Sequence, residues 1–77
     1  MAYRVLIVDD ELILTELLSA HLQDHGYTVS VANSSDEALA KLNTKPNLIL
    51  LDINMPGRDG LELCKVIRNH IVCPILF

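Results

Sequence analysis

The chain has 77 residues and a net charge of −4, enough for one small domain that buries only ~60% of its unfolded surface. Yet 51% of the residues are hydrophobic, an excess that points to an incomplete or self-associating domain. The basic residues Arg4, Lys41, Lys45, Arg58, Lys65 and Arg68 are scattered, so no basic stripe marks a nucleic-acid surface. The longest apolar runs are about five residues, far short of the ~20 a membrane span needs. Met1-Ala2-Tyr3-Arg4 leads directly into a strand without a signal peptide, so the cytoplasm is the expected location.

Taken in order, Val5 to Val8 is a continuous apolar run, as in a strand covered on both faces. Glu11 to His25 reads as a helix with Asp10 as N-cap and Gly26 as its left-handed stop, burying Leu14, Leu17, Leu18 and Leu22. Tyr27 to Val31 alternates and is β-branched, which predicts an edge strand. Ser34 and Glu37 form a capping box that opens a short helix with Ala38, Leu39 and Leu42 inward. Pro46 enforces a loop before Leu48 to Leu51, the most apolar strand and the expected centre of the sheet. Ile53 to Gly60 reads as an irregular loop. A helix follows to about Asn69 with Leu61, Cys64 and Ile67 facing the core, and Pro74 to Phe77 begins a fourth strand. Cys64 and Cys73 have no CxxC spacing and read as buried thiols.

Alternating strands and helices imply a parallel α/β sheet with right-handed crossovers. Strand order 2-1-3-4 and the mirrored order of a nucleotide-binding half both fit. In either, ligands bind at the carboxyl ends of the strands. That end carries Asp9 and Asp10 after the first strand and Asp52 after the third. Like charges on neighbouring strands ~4.8 Å apart need a cation. Mg²⁺ takes oxygen ligands and suits Asp9, Asp10, Asp52 and the backbone carbonyl of Asn54. Such an ion would also bridge a phosphoryl oxygen while Asp52 attacks phosphorus. The bland alternative is that these residues only cap helices and begin loops.

Leu6-Ile7-Val8-Asp9-Asp10-Glu11, then Leu50-Leu51-Asp52-Ile53-Asn54-Met55-Pro56-Gly57, then Asp59-Gly60-Leu61, resembles the response-regulator receiver domain of two-component signalling. The resemblance spans the chain and favours a flavodoxin-like three-layer sheet of order 2-1-3-4. It implies Asp52 as phosphoacceptor, Asp9 and Asp10 as the Mg²⁺-binding pair, Asn54 as the carbonyl ligand and a sensor histidine kinase as phosphate source. The motif style is similar to regulators with a winged-helix DNA-binding domain, although direct nucleic-acid binding by residues 1–77 is not expected.

Against that family, residues 1–77 are expected to form an incomplete receiver without the fifth strand and last two helices. The family's hydroxyl switch residue and its lysine after strand five have no counterparts in this stretch. Impaired phosphorylation follows as an expectation. So does a homo-oligomer, a dimer formed at the exposed fourth-strand edge or by exchange of elements. The competing functions are a docking module for a kinase or sister receiver and an aspartate-nucleophile phosphatase. Adjacent Asp9 and Asp10 argue against the phosphatase, because successive residues of a strand point to opposite faces. His21 and His25, four apart on one helix, read as a solvated face in preference to a metal pair.

Overall fold

The computed structural model describes residues 3–52, 60–69 and 74–76. The strands are β1 (Arg4–Val8), β2 (Thr28–Ala32), β3 (Leu48–Leu51) and β4 (Ile75–Leu76). The helices are α1 (Leu12–Asp24), α2 (Ser35–Ala40), which continues as a 3₁₀ turn over Lys41–Thr44, and α3 (Gly60–Arg68). All strand pairs are parallel and the order is β2-β1-β3-β4. This is the flavodoxin-like arrangement, and the mirrored order is excluded.

β1 pairs with β2 on one side and β3 on the other, in the register Val8↔Ala32 and Val8↔Leu51. Its Val-Leu-Ile-Val run is buried on both faces, as a central strand requires. Leu6, Val8, Ile49 and Leu51 project to one face and pack with Ala38, Leu42, Leu63 and Ile67. Within β1, Val5 and Ile7 alternate with Leu6 and Val8 and so face the opposite side.

Several local expectations shift by a residue. α1 begins at Leu12 with Glu11 in the N-cap position, and neither Glu11 nor Asp10 caps it through a side chain. The Asp9 carboxylate instead accepts the Glu11 N–H at 3.0 Å. That bond holds the strand-to-helix turn in the way a cap would, one residue earlier.

The inward stripe of α1 also differs. Thr15 is buried at 3% exposure, whereas Leu14 and Leu17 are 39% and 65% exposed. Leu18, Ser19 and Leu22 are half-buried, so the packed row is 15-18-19-22, an i, i+3, i+4, i+7 stripe. The helix rests mainly over β2, which turns Leu14 and Leu17 away from the core.

In α2, Ser34 Oγ accepts the Glu37 N–H at 3.2 Å, as the capping box requires. The return bond from Glu37 goes to the Asn33 N–H instead of that of Ser34. Ala38 and Leu42 are buried and Leu39 packs beside them. In α3 the core residues are Leu63 and Ile67, both fully buried, with Cys64 at their edge as a free thiol. The expected row 61-64-67 drifts around a 3.6-residue helix, whereas 63 and 67 stay aligned. The Leu61 side chain and Cys73 lie outside the described residues.

At the amino end of the sheet, Arg4 N donates to Asn47 Oδ1 at 2.8 Å, and Asn47 N donates to the Arg4 carbonyl at 2.7 Å. The Arg4 guanidinium donates to the Lys45 carbonyl, and the Tyr3 hydroxyl reaches the Asn47 carbonyl. Lys45 turns this loop with φ 55°, a left-handed conformation that ends the 3₁₀ turn. Tyr3 and Tyr27 meet edge to face with ring centroids 5.8 Å apart.

Candidate functional site: a carboxylate cluster at the carboxyl end of the sheet

The pairing of β1 with β3 decides the site. Val8 is level with Leu51, so the next residue of each strand, Asp9 and Asp52, emerges side by side. Two backbone bonds extend the ladder across this point: Asp52 N to the Val8 carbonyl at 2.9 Å, and Asp9 N to the Ala32 carbonyl at 3.0 Å. Asp10 follows in the turn toward α1. One carboxylate oxygen from each of Asp9, Asp10 and Asp52 lies within 4.8 Å of the others. Asp9 and Asp52 are half-buried and Asp10 is exposed.

At that separation each pair of like charges repels by about 1 kcal/mol even at the dielectric of water. The Asp9 carboxyl records the strain: partial burial pushes its pKa up, the Glu11 N–H pulls it down, and the nearby Asp52 and Asp10 carboxylates push it up again. A hard divalent cation with oxygen ligands fits this donor set, and two or three carboxylates leave room for waters in an octahedral shell. Asn54, expected to add its carbonyl, lies outside the described residues, as do Met55, Pro56, Gly57, Arg58 and Asp59.

Beside the cluster lies an open hollow of about 460 Å³, lined by Ile7, Leu14, Leu18 and Leu50 with Asp9, Glu11 and Asp52 at its acidic end. The lysines stand elsewhere. The Lys41 ammonium donates to the Val31 carbonyl, Lys45 is in the loop at the amino end of β3, and Lys65 is exposed on α3. His21 and His25 have ring centroids 4.5 Å apart, and His25 Nδ1 bonds the His21 carbonyl.

One residue at the site is missing from the sequence reading. Asn33, at the end of β2, donates its side-chain amide to the Asp9 carbonyl at 2.9 Å. The same amide reaches Thr15 Oγ1 at 3.3 Å, and that hydroxyl donates to the Leu12 carbonyl. An Asn ahead of a capping Ser reads as turn chemistry in one dimension. Only the β1–β2 pairing brings it under the acidic turn.

A parallel sheet in the 2-1-3-4 order with three carboxylates at its carboxyl edge defines a flavodoxin-like α/β domain with an acidic site at its open end. The response regulator receiver domain matches residues 5–77, and the chain belongs to that family. Among curated relatives, it is 43% identical over 74 residues to the transcriptional regulatory protein ResD of Bacillus subtilis, covering 95% of this chain and 31% of that protein. It is 45% identical over 73 residues to the transcriptional regulatory protein CpxR homolog of Haemophilus influenzae, covering 95% and 32%. The chain therefore spans about a third of these relatives' length.

Among solved structures, the response regulator TrrA of Thermotoga maritima in complex with Mg²⁺-BeF superposes with a TM-score of 0.79 at 44% identity. That match covers 90% of this chain and 60% of TrrA. The structure of histidine kinase ThkA in complex with TrrA matches with a TM-score of 0.86 at 42% identity, covering 97% and 66%. Among the described residues, no helix is long and apolar enough to cross a membrane.

Proposed function

We propose that the chain is a phosphoryl-accepting signalling module, in which Asp52 receives a phosphoryl group from a sensor histidine kinase and Asp9, Asp10 and Asp52 hold Mg²⁺. The observation that carries this reading is the convergence of the three carboxylates within 4.8 Å at the end of β1 and β3. The Mg²⁺-BeF complex of TrrA and the ThkA–TrrA complex support it by likeness. When bound, the ion offsets the charge of the cluster and draws negative charge from the phosphoryl oxygens.

The chain's own residues supply the rest. Asp52 follows β3 at the open end of the sheet, and in this reading its carboxylate attacks phosphorus in line. A P–O bond forms as the P–N bond to the donor imidazole breaks, which yields an aspartyl phosphate. Asp9, held by the Glu11 N–H, stays beside Asp52 as an ion ligand and does not compete as nucleophile. The exposed Leu12, Ile13 and Leu17 on α1 offer the kinase an apolar ridge next to the site. The module works in the cytoplasm.

Lys41 is engaged by the Val31 carbonyl and Lys45 lies in the loop at the amino end of β3, so neither serves the cluster and residues 1–77 alone accept phosphate slowly. With labelled acetyl phosphate and Mg²⁺, the chain gains an acid-stable, base-labile label at Asp52 that Asp52→Asn abolishes. Label that persists in Asp52→Asn contradicts the assignment. An apparent single-site Mg²⁺ binder that never labels supports the docking alternative.

The exposed Leu12, Ile13 and Leu17 on α1 also support self-association of this chain. Light scattering giving a dimer mass bears this out, and a monodisperse monomer refutes it.

A further inference from the structure

Three carboxylates that repel one another converge because something holds them, and β1–β3 pairing fixes only two of the three. Asp10 lies past the ladder, in the turn between Val8 and Leu12, where the sheet no longer dictates the backbone. Two bonds govern that turn from outside the ladder. One is local, from the Glu11 N–H to the Asp9 carboxylate. The other is long-range, from the Asn33 side-chain amide to the Asp9 carbonyl at 2.9 Å.

The Asp9 carbonyl belongs to the peptide that joins Asp9 to Asp10. Pinning it sets the orientation of that peptide and hence the direction in which the Asp10 side chain leaves the turn. Asn33 is itself braced. Its N–H donates to the Glu37 carboxylate at 3.2 Å, and its amide also reaches Thr15 Oγ1, a hydroxyl buried at 3% exposure. Three segments are thus tied at one residue, the acidic turn and the first turn of α1 through its side-chain amide and the entry to α2 through its backbone N–H.

We propose that Asn33 is the positioning residue of the carboxylate cluster: its amide clamps the Asp9 carbonyl and so orients Asp9 and Asp10 toward a shared divalent cation. This rests on the reading of the cluster as a Mg²⁺ site. In this role Asn33 is a positioning residue and not an ion ligand. It acts through the backbone, as outer-shell partners of metal ligands do.

Thr15 is the control. Thr15→Val keeps the shape but removes the hydroxyl, leaving the Asn33-to-Asp9 bond in place. The experiment is Mg²⁺ titration by calorimetry, alongside thermal unfolding in excess EDTA, on the 77-residue chain and on Asn33→Ala, Asn33→Ser and Thr15→Val.

Asn33→Ala is expected to bind Mg²⁺ about tenfold more weakly, the scale of an outer-shell loss. Asn33→Ser, which restores a hydroxyl donor, should recover part of that affinity. Thr15→Val should lower the metal-free melting temperature but leave Mg²⁺ affinity within about twofold, since its partners are not ion ligands. Unchanged affinity in a folded Asn33→Ala overturns the clamp. So does a Thr15→Val loss equal to that of Asn33→Ala, which would make the effect one of general stability. Should Asn33→Ala not fold, Asn33→Ser decides: affinity between two- and tenfold below the parent supports the clamp, and unchanged affinity overturns it. A parent chain that binds no Mg²⁺ overturns the metal-site reading itself, a result distinct from any of these.

Discussion

The two ends of the central strands are built on opposite terms. At the amino end, Arg4, Asn47, Tyr3 and Lys45 satisfy one another through four hydrogen bonds to backbone or amide groups. At the carboxyl end, Asp9, Asp10 and Asp52 converge despite their like charge, and the Asp9 pKa is raised, first by partial burial and then by the neighbouring carboxylates. One end closes the fold and the other gathers like charge. The same strands, read in one direction, run from hydrogen-bonded closure to an open acidic edge.

The largest separation of the two ends comes from Asn47→Ala. It removes an acceptor for the Arg4 N–H at the closed end, and a cost of about 2 kcal/mol in chemical denaturation is expected. Mg²⁺ affinity should not change. A matching loss of Mg²⁺ affinity would mean that the ends are not independent.

Asp9→Asn tests the other end. The amide oxygen still accepts the Glu11 N–H, while one of the repelling charges is gone. The metal-free variant should melt about 2–4 °C higher at pH 7 and bind Mg²⁺ much more weakly. A lower melting temperature would show that the cluster is not under repulsion.

The pH dependence follows with a defined sign. The folded-state pKa of Asp9 lies above the unfolded value of 3.8, so the folded state holds its proton more tightly. The contribution of Asp9 to metal-free stability is full below 3.8 and is lost as pH rises through the raised folded value. Urea midpoints of the parent minus those of Asp9→Asn should therefore fall across that window, and Mg²⁺ should abolish the difference at neutral pH. A flat difference would contradict the account. The smallest stability effect belongs to Leu17→Ser, on a side chain 65% exposed. Stability should stay within about 0.5 kcal/mol, while phosphoryl transfer from a cognate kinase should slow if α1 is the docking ridge.

Much of this was legible in one dimension. Continuous apolar runs placed β1 and β3, the Ser34–Glu37 box placed α2, and Gly26 with φ 91° closes the turn after α1 as a left-handed glycine. Asp9, Asp10 and Asp52 were visible because each follows a strand, and pairing of those strands brings them together. What was not legible depends on how elements lean on one another. The Leu14 and Leu17 row looked like core because hydrophobicity records only the helix's apolar arc. Thr15, which packs inward and satisfies its hydroxyl locally, is polar in sequence and buried in space. Asn33 and Asn47 carry no motif, since their partners, Asp9 and Arg4, lie 24 and 43 positions away.

The central claim is that the charged end of the sheet is one divalent-cation site. Its most direct test is calorimetric titration of Mg²⁺ into the chain and into Asp52→Asn. The account predicts a saturable isotherm with one ion per chain, a melting temperature that rises with Mg²⁺, and loss of both in the variant. An isotherm without saturation, or one that Asp52→Asn leaves intact, would contradict it.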